Sequence, residues 1–179
     1  KETEEIAAEN HLQKCFFEYD EMLESEVDTI YVALPNFLHF PFAKKALEAG
    51  AQFLLTPGTP LDVMEYCKKN RVKLLPSVLT PSEVAVSLEY GYQTMKLFPA
   101  GNMPLNYVKS LKGPFDRAEF VAIGGVSPGN CKKFLASGYL GVGMASNLMP
   151  KEAVAKGDWK ACATSVRRIV GELNNGQKF

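Results

Sequence analysis

Lys96 carries more chemical consequence than any other residue in this sequence. It sits inside Thr94-Met95-Lys96-Leu97-Phe98-Pro99-Ala100, whose first five residues suit a buried strand. Alternate side chains of a strand point to opposite faces. With Met95 and Leu97 turned toward covering helices, Lys96 points to the other face, into the space the sheet encloses. Burial disfavours the charged ammonium there, and a neutral amine can attack a ketone to form an imine. A strand-end lysine that reaches water, or pairs with a carboxylate, is the plainer alternative, and the strand alone leaves both open. Gly124-Gly125 is the second feature. Glycine's missing side chain lets backbone N–H groups approach an anion, although an ordinary tight turn accounts for the pair equally well. His39 reads as a helix-face histidine with no task.

These residues need a scaffold, and strand and helix signals alternate along the chain. The strand-like runs are Cys15–Phe17, Asp28–Leu34, Gln52–Thr56, Lys73–Val78, Thr94–Phe98, Glu119–Ile123 and Tyr139–Gly143. Helices are predicted over Lys1–Asn10, from an Asp20 cap to Ser25, from Pro35-Asn36 to Glu48 with Gly50 as its stop, and over Leu61–Asn70. Thr80 caps a further helix over Pro81–Tyr90, with Glu83 completing a capping box. Others follow over Pro104–Leu111, Ser127–Ala136, Pro150–Ala155 and Asp158–Leu173. Such alternation predicts one α/β domain with a parallel sheet covered by helices. The reading is a (β/α) TIM-barrel-like fold, incomplete at seven strands where a closed barrel takes eight, or an open parallel sheet. Open sheet edges invite pairing between chains, so a homo-oligomer is expected.

Composition narrows the function classes. Twenty basic residues balance twenty acidic ones, so no net field draws nucleic acid or anionic lipid, and any bound anion must be held locally. Cys15, Cys67, Cys131 and Cys162 are scattered and read as reduced thiols. Two histidines speak against a histidine-rich metal site. No apolar run approaches membrane-spanning length, and the expected location is the cytoplasm.

Six segments carry a resemblance: GAQFLLTPG, LLPSVLTPSEV, TMKLFPA, LKGPF, FVAIGGVSPGN and GVGMASNLMPK. Together they make Gly50–Leu173 similar to the 2-keto-3-deoxy-6-phosphogluconate and 4-hydroxy-2-oxoglutarate aldolase family, in family order and spacing. The resemblance implies a Schiff-base aldolase of 2-keto-3-deoxy-6-phosphogluconate or a related 2-keto acid, with no cofactor and no metal. It implies that Lys96 forms an imine with pyruvate and that Phe98 packs beside it to exclude water. Thr56-Pro57 would close the site, Gly124-Gly125 would approach a phosphate or sulfate anion, and Ser146 would add a hydroxyl. Ile123 stands where the family usually has threonine, and Met144-Ala145 where many members have glycine.

The front of the chain departs further. A retro-aldol step needs a base, and the family's second-strand pattern E-[VI]-T-x-R does not occur. The first fifty residues hold no arginine, and the third-strand turn is replaced by Leu34-Pro35-Asn36. Cleavage is therefore expected to be impaired, and the front third of the barrel to be missing. Glu18–Gly50 instead resembles the second half of the nucleotide-binding domain of the glucose–fructose oxidoreductase and inositol dehydrogenase family, through Val27-Asp28, Pro35-Asn36, His39 and Ala46–Gly50. Thr56-Pro57 occupies the place of that family's Glu-Lys, and no G-x-G-x-x-G turn is present, so dinucleotide binding should be negligible. These observations predict a chimera of residues 1–50 and 51–179, with an engineered or recombined fold of no selected activity as the alternative function.

Overall fold

The computed structural model describes residues 2–9, 12, 14–32, 34, 36–145 and 147–174. Six short strands form among the described residues, all parallel where they pair: β1 Phe53–Leu55, β2 Lys73–Leu75, β3 Ser77–Val78, β4 Thr94–Leu97, β5 Glu119–Ile123 and β6 Gly141–Gly143. The predicted strand Lys73–Val78 is split in two because Pro76 has no N–H to give the ladder. The split changes partners without breaking the sheet. On one side Thr56 N donates to Leu75 O and Ser77 N to Gly58 O; on the other Lys96 N donates to Pro76 O and Phe98 N to Val78 O. β2 and β3 therefore act as one strand, joined to β1 on one edge and β4 on the other.

Strand order across the sheet follows the sequence, β1, β2/β3, β4, β5, β6. A doubly wound sheet reverses direction at a switch point, and none occurs here, so the progression is that of a barrel wall. The wall is not closed: among the described residues the outer edges of β1 and β6 have no strand partner. The predicted strands Cys15–Phe17 and Asp28–Leu34 are also not strands in their described residues. A β-branched run becomes a strand only when another strand accepts its N–H and C=O groups. Tyr31 is 90% exposed, while Ile30, Val32 and Leu34 on the alternate side are half-buried.

Among the described residues the helices are α1 Glu2–Glu9, α2 Tyr19–Leu23, α3 Asn36–Glu48, α4 Leu61–Asn70, α5 Pro81–Glu89, α6 Tyr107–Lys112, α7 Cys131–Ala136, α8 Lys151–Ala155 and α9 Trp159–Asn174, and α3 to α7 and α9 supply side chains to the core on one face of the sheet. Thr80 caps α5 as predicted, with both halves of the capping box formed. Asp20 does not cap α2. It lies inside the first turn, and its carboxylate takes Lys45 of α3 at 2.9 Å instead. α6 and α7 start later than predicted, after turns at Pro104–Asn106 and Ser127–Asn130.

The sheet's alternation decides where the core sits. Met95 and Leu97 of β4 and Phe120 and Ala122 of β5 are fully buried with Val84, Val108 and Leu111 beneath the helices. A second cluster joins Val63, Met64, Cys67 and Leu74 to Phe40, Leu54 and Tyr66, and so binds α3 and α4 to β1 and β2. The opposite face carries the intervening residues: Phe53, Leu55, Leu75, Ser77, Lys96, Val121, Ile123 and the glycines of β6. That inner face is left open at β1, where Phe53 and Leu55 are 65% and 50% exposed.

Candidate functional site

Lys96 lies on the inner face, in the row Ser77–Lys96–Val121–Gly141 set by the strand register. It is 7% exposed. Its Nζ donates to the carbonyl oxygen of Thr56 at 3.4 Å and lies 4.4 Å from the centre of the Phe98 ring. Among the described residues it forms no ion pair. Burial, uncompensated by a carboxylate, lowers its pKa from the usual lysine value. Of the two readings left open by the strand, a water-reaching or carboxylate-paired lysine does not match this geometry.

Phe98 leaves the end of β4 through a cis peptide to Pro99. One side of its ring faces the Lys96 amine, and the ring is 41% exposed above. Gly124 supports it. A Cβ on Gly124 would fall 2.8 Å from Phe98 Cδ2 and Cε2, closer than atoms can approach, and the residue has φ +86°. Gly125, at φ +74°, meets Gly101: a Cβ there would lie 2.9 Å from Gly101 Cα. Gly101 N donates to Gly124 O at 2.8 Å, locking the two loops together. The glycine pair thus does more than turn the chain, since it lets two backbones and one aromatic ring stack without side chains between them.

Thr56 is buried at the end of β1, with its hydroxyl donating to Gly58 O at 2.8 Å, while Pro57 is exposed. Thr59 Oγ1 reaches Ser77 O at 3.3 Å and ties this loop to β3. Asn130 fixes the loop after Gly125: its Oδ1 accepts from Ser127 N at 2.8 Å, and its Nδ2 donates to Gly125 O at 3.0 Å. The structure thus brings Thr56, Lys96, Phe98, Gly124 and Gly125 to the C-terminal ends of neighbouring strands. Ser146 and Pro35 lie outside the described residues. Ile123 packs on the last strand, where a Cβ on Gly143 would be 2.9 Å from its Cγ1. His39 is not idle: its Nε2 donates to Leu34 O at 2.6 Å, tying the start of α3 to the preceding loop.

Sequence reasoning missed Ser77, Gly101 and Asn130. The signal for Asn130 was present, as an Asn three residues after Ser127 at a helix start. Gly101 could not be read, because its reason is a loop that lies 23 residues on in sequence and touches it only in space. Two shallow depressions near Gly91 and Gln93 lie at the N-terminal ends of the strands, the far end from Lys96. The chemistry that this arrangement supports is nucleophilic attack by a desolvated amine on a small carbonyl compound resting on the open inner face.

The chain is similar to known proteins over most of its length. Residues 12–165 match the family described as "Aldolase: KDPG and KHG aldolase". The KHG/KDPG aldolase of Escherichia coli is 29% identical over 159 residues, covering 88% of this chain and 74% of that protein. The solved 2-keto-3-deoxy-6-phosphogluconate aldolase of Zymomonas mobilis is 30% identical with a TM-score of 0.60, over 70% of this chain and 60% of that one. The KDPG aldolase of Legionella pneumophila, solved with pyruvate as a covalent carbinolamine intermediate, is 26% identical with a TM-score of 0.64, over 72% and 63%. The chain thus spans less than two-thirds of those two solved structures. The family match starts at residue 12 and crosses Gly50, so the resemblance of Glu18–Gly50 to a nucleotide-binding domain, and with it a chimera, draws no support.

Proposed function

This chain belongs to the KDPG and KHG aldolase family, and from that premise we propose that it is a class I aldolase in which Lys96 condenses with pyruvate or a related 2-keto acid. The observation that carries the reading is the Lys96 amine itself, buried, without a counter-charge among the described residues, and covered by Phe98. In the neutral form its lone pair attacks the keto carbon, and the carbonyl electron pair moves to oxygen. A proton passes from nitrogen to that oxygen to give a carbinolamine, and uptake of a proton from solvent by its hydroxyl lets water leave and forms the iminium. The iminium then accepts the electron pair of the breaking carbon–carbon bond as the substrate hydroxyl gives its proton to a base and becomes an aldehyde; the resulting enamine takes a proton at carbon, and water releases the keto acid and restores the amine.

Phe98 limits water at the imine, and Thr56 O holds the resting amine at the end of β1. Pro57 borders the same end. Gly124-Gly125 and Ser146 are the groups proposed for the substrate phosphate, the glycines through their backbone. No described lysine or arginine stands in the loops 56–60, 98–104 or 124–130, so backbone and hydroxyl donors would carry that role. The phosphorylated substrate is 2-keto-3-deoxy-6-phosphogluconate or a close relative. Its cleavage is expected to be slow, because the E-[VI]-T-x-R pattern that would provide the base is absent from the sequence. A missing general base typically costs about 10² to 10⁴ in rate. Self-association belongs to the same reading, supported by the unpaired edge of β1 and the exposed Phe53 and Leu55 beside it.

Borohydride reduction in the presence of pyruvate tests the proposal. A carboxyethyl adduct confined to Lys96 by peptide mass spectrometry is expected, and none in Lys96→Met. Absence of the adduct on a folded protein would overturn the assignment.

A further inference from the structure

The path of the Lys96 side chain across the sheet gives Ser77 a role. Ser77 is the register partner of Lys96, one strand away, with its side chain on the same face. Thr56, whose carbonyl receives the amine, is one strand further on, at the end of β1. Thr56 N bonds to Leu75 O and Ser77 N to Gly58 O, so the β2/β3 strand lies between Lys96 and its acceptor. Adjacent strands are about 4.8 Å apart. An arm rooted on β4 that ends at Thr56 O must therefore cross over β2/β3, and Ser77 is the side chain it meets there. Ser77 is 2% exposed although it faces the open side of the sheet. An overlying arm accounts for that burial. The small size of Ser77 is what this packing uses.

Resting on the reading of Lys96 as the imine-forming residue, we infer that Ser77 is a positioning residue: the low floor over which the lysine arm lies to bring its amine beneath Phe98 and against Thr56. A branched side chain at this position would lift the arm off the sheet. A displacement of about 1 Å at a reacting group can cost as much as 10²-fold in rate.

The test compares Ser77→Ala, which keeps the floor low, with Ser77→Val, which raises it. Two measurements are made on the full chain, after circular dichroism and thermal melting show that each variant is folded. The first is the rate of acylation of Lys96 by an amine-selective reagent, read at that peptide by mass spectrometry. The second is the rate of borohydride trapping with pyruvate. Ser77→Val should speed acylation of Lys96 several-fold and slow trapping about tenfold or more, while Ser77→Ala stays within about threefold of the parent in both. Unchanged acylation in Ser77→Val, or an equal change in Ser77→Ala, would overturn the role of Ser77. Acylation needs no keto acid. Loss of trapping in the parent with the Ser77→Val acylation change intact would therefore defeat the imine reading and leave the floor standing. If Ser77→Val does not fold, Ser77→Thr with the same two readings takes its place.

Discussion

Replacing Gly124 with alanine should damage stability and the amine site together, and the structure gives the size of the effect. Gly124 has φ +86°, a conformation that costs an L-residue roughly 1–2 kcal/mol. The new methyl would also stand 2.8 Å from two atoms of the Phe98 ring and 3.1 Å from Pro99 Cα. Overpacking of this kind costs about 1–3 kcal/mol, because the ring must tilt or the loop must shift. Alanine restricts the unfolded chain and returns about 0.4–1 kcal/mol. The mid-range net loss is about 3 kcal/mol, a large share of a total stability of about 5–15 kcal/mol. With a urea slope of about 2 kcal/mol per molar, the midpoint should fall by about 1–2 M.

Gly138→Ala is the control for that experiment. Gly138 has φ +104° with nothing within 4 Å of an added Cβ, so its alanine variant feels backbone strain alone. The excess loss in Gly124→Ala over Gly138→Ala then measures the clash with the ring. A tilted Phe98 uncovers the Lys96 amine, so pyruvate trapping should slow in Gly124→Ala and not in Gly138→Ala. Equal losses in the two variants, with trapping unchanged, would refute the idea that Gly124 is glycine to seat Phe98 over the lysine.

Two further predictions concern pH. Lys96 has a pKa below the ordinary lysine value because it is buried. Between that lowered value and about 10.5 the unfolded chain binds more protons than the folded one, so stability should rise as pH rises through this window. Lys96→Met should be more stable than the parent at neutral pH, and the gap should narrow toward pH 10; urea melts at both ends check it, and parallel pH profiles would refute it. At α5, burial pulls Glu83 upward, but the N–H groups of Leu79 and Thr80 and the Thr80 hydroxyl outweigh it and hold the carboxyl below its usual range. This contribution is present above the unfolded carboxylate value and is lost as pH falls through the folded one. Thr80→Ala should cost about 1 kcal/mol at pH 7. Glu83→Gln should flatten the acid limb of the stability profile, and an unchanged limb would count against the capping carboxylate.

Much of the scaffold was legible in the sequence for local reasons. Thr80-Pro81 with Glu83 encodes its own helix start, and α4 covers the Leu61–Asn70 predicted for it. The Met95–Lys96–Leu97 alternation required only the period of a strand, and it assigned the lysine to the face opposite the core. The run Asp28–Leu34 failed for the converse reason. Its residue types favour a strand, but a strand exists only where a neighbour completes its hydrogen bonds.

The sequence by itself determined which amine lies on the sheet face opposite the core and which loops would lie at its end of the sheet, because strand period and turn chemistry are written in neighbouring residues. The tertiary structure alone decided how the amine's surroundings come together. Thr56 O, Phe98, Ser77 and the Gly124–Gly101 contact come from four separate stretches, and their meeting depends on strand register and on the partner change at Pro76. Register is a property of pairs of segments packed together, and no single stretch of chain contains it.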